Sequence, residues 1–233
     1  MIKYVFIDID NTLLDFDAYV QKAMKDGFRR FGLREYEPWM YEVFKTENNK
    51  LWQRLEKGEL SFDELKKIRW SIILEKLGID FDGQEFEEYF RSEIHESAIP
   101  VEGAREMVEE LAKKYVLCTA SNGPWEQQLH RMEISGMNKY FRHHFISEKI
   151  GAAKPAREFF DFAFKEISAA EGGDVLPSEC IIIGDSLTSD IAGGRNCGMK
   201  TCFFNKSRGE FPENCADIIE TEPAKIPALI SLI

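Results

Sequence analysis

The sequence predicts an α/β fold: a Rossmann-like, doubly wound parallel sheet as core, with an all-helical cap domain inserted into it. Three observations carry this. Apolar runs rich in β-branched and aromatic residues recur at 4–9, 115–120, 180–183 and 200–204, without the alternation of a half-exposed strand, as expected of strands buried on both faces. Stretches with helical spacing separate the later runs, and alternating strands and helices joined by short links indicate parallel strands covered on both sides. A long block after the first run reads as helices only, which marks a lobe of its own.

In chain order, the first strand (residues 4–9) runs straight into an acidic turn. The helical cap is expected over residues 15–97, and the core over 1–14 and 98–233. Breaks within the cap fall near 32–38, 58–61 and 78–83, where glycine and proline cluster. Ser61 with Glu64 three residues on fits a capping box, and Leu65, Ile68, Ile72 and Ile73 follow at helical spacing. Pro100 marks the return to the core. Ala104, Val108, Leu111 and Ala112 then share one face of a helix over 104–114, before the strand 115–120. A helix over 125–135, a short strand at 145–147 and a helix over 157–169 lead to the strand 180–183. Pro155 suits the first helical position of the helix ahead of that strand. A helix over 189–196 and the strand 200–204 complete the core.

With 44% hydrophobic and 30% charged residues, the composition is that of a soluble globular protein. No stretch reaches the ~18 consecutive apolar residues of a membrane span. Asp8 and Asp10 interrupt the N-terminal apolar run, so it does not read as a secretory signal, and a cytoplasmic location is expected. The five cysteines form no C-x-x-C pair and read as reduced thiols, three of them in or beside the strand runs. A formal charge of −11 disfavours a nucleic-acid polymer as partner but leaves a small phosphorylated metabolite open, because local cations set a pocket's field. No feature speaks to oligomeric state.

Four short motifs carry chemistry. Asp8-Ile9-Asp10-Asn11-Thr12 follows the first strand, where ligands bind in open α/β sheets. Two carboxylates so close repel unless a cation lies between them or one keeps its proton. Such a pair could supply a nucleophile and an acid, and it also suits an ordinary Asx turn. Gly184-Asp185 with Asp190 follows the strand 180–183; Asp8, Asp185 and the main-chain carbonyl of Asp10 would make a partial oxygen shell for Mg²⁺, with Asp190 behind it. The alternative makes Asp185 or Ser186 a helix cap and Asp190 a surface residue. Ser121-Asn122-Gly123 offers a hydroxyl and main-chain N–H groups to phosphate oxygens, or is simply a turn. Lys154-Pro155 supplies a cation that could steady carboxylates and phosphate, or a solvated helix start.

Taken together and in this order, D-x-D-x-T, a strand ending in Ser, Lys-Pro and G-D-x4-D resemble the haloacid-dehalogenase-like superfamily over nearly the whole chain, inserted cap included. The resemblance implies that Asp8 attacks phosphorus and forms an aspartyl-phosphate, that Asp10 protonates the leaving alcohol and then activates water, that Ser121, Asn122 and Lys154 bind the phosphoryl group, and that Asp8, Asp10 and Asp185 hold Mg²⁺. An acid at Asp10 favours phosphate esters over halides. A narrower resemblance, to the YjjG-type pyrimidine 5′-nucleotidases, rests on Phe16-Asp17 after Leu13-Leu14, on Leu51-Trp52 followed by Gly58-Glu59-Leu60, and on Ile146-Ser147-Glu148-Lys149-Ile150-Gly151 before Lys154-Pro155. It implies a nucleoside 5′-monophosphate as substrate. Phe16 then becomes a candidate to line the substrate cleft; Trp52 is a candidate for the same role or for packing inside the cap. A sugar-phosphate phosphatase, a β-phosphoglucomutase-like phosphomutase and a non-catalytic phosphometabolite-binding protein are the alternatives.

Overall fold

The computed structural model describes all 233 residues. Strand β1 (Tyr4–Ile7) precedes four helices, α1 (Phe16–Arg30), α2 (Pro38–Glu56), α3 (Phe62–Lys76) and α4 (Gly83–His95). There follow α5 (Ala104–Leu111), β2 (Val116–Ser121), α6 (Trp125–Ile134), β3 (Phe141–Ile146), α7 (Ser147–Ile150) and α8 (Arg157–Glu171). The chain ends with β4 (Cys180–Gly184), α9 (Ala192–Cys197), β5 (Lys200–Phe204), β6 (Ile218–Glu220) and α10 (Ile226–Ile230). The chain divides into two compact units, residues 1–15 with 98–233 and residues 16–97.

In the first unit six strands form one parallel sheet in the order β3-β2-β1-β4-β5-β6. One face of β1 buries Val5 and Ile7 with Met107, Val108 and Leu111 of α5, and the other buries Tyr4 and Phe6 with Phe159, Phe160 and Ala163 of α8. Burial on both faces is why the strand runs show no alternation. The cysteines are free thiols, with Cys118, Cys180 and Cys202 buried.

Several boundaries differ from the sequence expectation for physical reasons. β1 ends at Ile7 rather than at residue 9, because Ile9 is apolar for the core, fully buried, while its carbonyl already accepts from Leu13 and Leu14 N–H in a tight turn. Asn11 takes a left-handed φ of 62° in that turn, which Asn tolerates. The expected short strand at 145–147 is β3, longer on its N-terminal side; exposed Arg142 and half-buried His143 and His144 hid an edge strand. β6 was not anticipated at all, since three residues give no readable period. Over 189–196 the chain first makes a wide turn, with Ile191 N–H donating to the Ser186 carbonyl, and only then the helix α9. Pro155 is not at a first helical position. Helix α8 starts at Arg157, and the Lys154–Pro155 peptide is cis within a turn closed by Ala156 N–H on the Ala153 carbonyl.

The second unit is helical throughout. Trp70 is fully buried, with the rings of Phe44, Phe86 and Phe90 at 4.3–5.4 Å. Ser61 and Glu64 form the expected capping box at the start of α3. Arg69 of α3 meets Glu87 of α4 through two hydrogen bonds of 3.0 and 2.6 Å, both side chains buried. Gly27 lets α1 approach α4, because a Cβ there would stand 2.5 Å from the Tyr89 ring.

Candidate active site

Parallel register sets the site. Ile7 pairs with Thr119 on one side and Ile183 on the other, so Asp8 stands level with Ala120 and Gly184 at the carboxyl edge. Ser121 and Asp185 follow one residue beyond. Three neighbouring strands therefore deliver Asp8, Ser121 and Asp185 to one place, the edge where open α/β sheets bind ligands.

Lys154 is the hub. Its ammonium is buried and donates to Asp8 Oδ1 at 2.7 Å, to Asp190 Oδ1 at 2.6 Å and to the Ala120 carbonyl, which uses all three of its protons. The turn that presents it is fixed by Asn122, whose Oδ1 accepts from Lys154 N–H and whose Nδ2 donates to the Lys154 carbonyl, both at 2.8 Å. Burial tends to lower the ammonium's pKa, but the carboxylates of Asp190 and Asp8 outweigh it and hold the lysine above its ordinary value. Burial pushes the Asp8 carboxyl up to about 7; Lys154 pulls against this and the Asp190 charge reinforces it.

Asp190 is 1% exposed, not a surface residue, and its Oδ2 accepts from Ser186 N–H at 3.1 Å. Gly184 makes room for it: a Cβ there would lie 2.2 Å from Asp190 Oδ2. Ser186 caps the following turn by accepting from Ser189 N–H. Carboxylate oxygens of Asp8, Asp185 and Asp190 all lie within 4.8 Å of one another. Asp190 spends both oxygens on Lys154 and Ser186 N–H, and the carboxylates of Asp8 and Asp185 could hold a hard cation.

Asp10 carries a second network that the sequence reading missed. Its Oδ1 accepts from Arg131 Nη1 at 2.7 Å and its Oδ2 from Gln128 Nε2 at 2.8 Å. The same Gln128 Nε2 donates to Ser121 Oγ at 2.8 Å. Arg131 and Gln128 lie three residues apart on α6, in a buried row with Met132, and charged or amide side chains in such a row were the overlooked signal. Lys206, also overlooked, follows β5 and bonds to Asn11 Oδ1 at 2.8 Å and Asp15 Oδ1 at 2.6 Å.

Of the sequence candidates, Asp8, Asp10, Ser121, Asn122, Lys154, Asp185 and Asp190 all gather at this edge. Phe16 and Trp52 belong to the helical unit. The Phe16 ring lies among those of Tyr19, Phe44 and Phe90, and Trp52 packs with Leu51, Leu60, Leu65 and Phe62.

Residues 2–198 match the family model of the haloacid dehalogenase-like hydrolases. The chain is 30% identical over 204 residues to the pyrimidine 5′-nucleotidase PynA of Streptococcus pneumoniae, covering 87% of this chain and 84% of PynA. It is 28% identical to the pyrimidine 5′-nucleotidase YjjG of Escherichia coli, covering 91% and 90%. The magnesium-bound crystal structure of the HAD-hydrolase YfnB from Bacillus subtilis superposes with a TM-score of 0.87 at 29% identity, over 100% of this chain and 99% of that one.

Proposed function

The chain belongs to the haloacid dehalogenase-like hydrolases, and we propose that it is a Mg²⁺-dependent phosphatase acting on nucleoside 5′-monophosphates through an aspartyl-phosphate. One observation carries the reaction: two carboxylates two residues apart stand in different surroundings. Asp8 is buried against Lys154, whereas the Asp10 side chain is 30% exposed and held by Arg131 and Gln128. A buried, oriented carboxylate suits attack, and an accessible one suits proton exchange with a leaving group or water.

Asp8, Asp185 and the main-chain carbonyl of Asp10 would hold Mg²⁺. Their all-oxygen, acidic character fits that ion, and carboxylate oxygens of Asp8 and Asp185 lie within 4.8 Å of each other. When bound, the ion would neutralise charge between the nucleophile and the phosphoryl oxygens.

In the first half-reaction an Asp8 carboxylate oxygen bonds to phosphorus while the ester P–O bond breaks, and the departing oxygen takes the proton of Asp10. In the second, a water oxygen bonds to phosphorus and gives its proton to Asp10. The bond to Asp8 breaks, releasing inorganic phosphate and restoring both groups. Ser121 Oγ and the main-chain N–H at Asn122 would bind the phosphoryl oxygens, and Lys154, whose protons go to Asp8, Asp190 and the Ala120 carbonyl, would add its positive charge beside the nucleophile. Asp190 keeps Lys154 in place.

The nucleotide part of the reading rests on PynA and YjjG, both pyrimidine 5′-nucleotidases. A panel of phosphate esters assayed with Mg²⁺ and with EDTA tests it. Nucleoside monophosphates should give the highest kcat/KM, and EDTA should remove turnover. Clearly better turnover of sugar phosphates would overturn the substrate class; transfer of phosphate to a sugar hydroxyl instead of water would point to a mutase; no turnover of any ester would overturn the phosphatase.

A further inference from the structure

Asp10 lies beyond the end of β1, on a turn whose next residue is left-handed, and nothing in the strand ladder fixes its side chain. The carboxylate is fixed from α6 instead. Arg131 takes Oδ1, Gln128 takes Oδ2, and Gln128 Oε1 accepts from the same Arg131 Nη1 at 2.8 Å, which closes the three groups into a ring. Arg131 and Gln128 are each 1% exposed. Burying a guanidinium and an amide is costly unless each is paired, so this arrangement persists because of the partners it holds. Helix α6 is itself held firmly, with Met132 in the core and Trp125 packed against it.

The geometry points to Arg131 and Gln128 as positioning residues that aim Asp10 at the leaving oxygen: Arg131 anchors Oδ1, and Gln128 yields Oδ2 to the substrate while tying it to Ser121. This rests on the phosphatase reading above. The division of labour between the oxygens follows from bond strength. The bond from Arg131 joins two opposite charges, whereas that from Gln128 joins a neutral amide to the carboxylate, so the amide contact is the weaker and is the one exchanged. Gln128 also bonds Ser121 Oγ, so the acid and a contact to the phosphoryl group are held at a fixed spacing from one side chain. Small errors in such spacing cost rate far more than affinity.

The test compares two substrates, a nucleoside monophosphate, whose alcohol needs a proton to leave, and p-nitrophenyl phosphate, whose phenolate does not. Arg131→Met is expected to lower the first-turnover rate of alcohol release from the nucleotide by about 10²-fold and that of p-nitrophenolate by less than about fivefold, whereas later turnovers, which need Asp10 to activate water, slow for both. Gln128→Met is expected to show the same split at smaller size, and Arg131→Lys to recover part of the nucleotide rate. Combined with Asp10→Asn, Arg131→Met should add little further loss, because both act through one carboxylate. Where Arg131→Met melts below the assay temperature, Gln128→Met and Arg131→Lys carry the comparison alone. Equal first-turnover losses on both esters, or losses that multiply with Asp10→Asn, would overturn the positioning role while wild-type turnover still upholds the phosphatase. A wild-type protein that hydrolyses neither ester would overturn both.

Discussion

Lys154 Nζ lies 2.6 Å from Asp190 Oδ1, and the two side chains are 2% and 1% exposed, so the lysine at the centre of the site is held by a carboxylate that no solvent reaches. Asp190→Asn removes the charge and keeps the shape, leaving a buried ammonium with Asp8 as its one ionic partner. A stability loss of about 3–5 kcal/mol is expected in urea melts, together with a fall in kcat of about 10²-fold. Wild-type stability and rate would mean that Lys154 is oriented by other groups.

Gly184→Ala reaches the same contact from the backbone, because the new methyl would overlap Asp190 Oδ2. A loss of about 1–3 kcal/mol is expected, and Lys154 should be misplaced in a crystal structure of the variant. Unchanged Asp190 and Lys154 positions would refute the steric argument.

The metal and the proton should compete for Asp8. Its carboxyl is raised to about 7, chiefly by burial. Between about pH 4, where an unfolded carboxyl titrates, and pH 7, the metal-free native state keeps a proton that the unfolded chain has lost. This group's contribution to stability therefore falls as pH rises through that window, and below pH 7 Mg²⁺ must displace the proton. Added Mg²⁺ should raise the Tm more at pH 8 than at pH 5.5, with apparent affinity weakening up to about tenfold per unit below 7. An equal Mg²⁺ shift at both pH values would contradict it.

In the helical unit, Arg69→Met strands Glu87, whose carboxyl burial already pushes upward against the pull of Arg69. A loss of about 3–5 kcal/mol is expected, and Arg69→Met with Glu87→Leu should recover most of it. A double variant no more stable than the single one would show that the pair also serves packing.

Much of this architecture was legible in the residues. The strand runs and the helical block could be read because burial on both faces and helical spacing each leave a period in the sequence. Gly184-Asp185 and Lys154-Pro155 could be read because local turns demand particular residue types. The pairing of Asp10 with Arg131, 121 residues away, leaves no local trace, and β3 was blurred by histidines that a sheet edge tolerates. The sequence offers Asn122 as part of a turn and as a phosphate contact, and its side chain clamps the backbone of Lys154, a contact that only the fold creates.

The central claim is that Asp8 becomes covalently phosphorylated. Acid quenching during turnover of a nucleoside monophosphate labelled with ³²P at its phosphate, followed by peptide mapping, tests it directly. Label is expected on the peptide that contains Asp8, removable by hydroxylamine as an acyl phosphate is, and absent from Asp8→Asn. Steady wild-type turnover with no label on that peptide, or with Asp8→Asn still labelled, would contradict it.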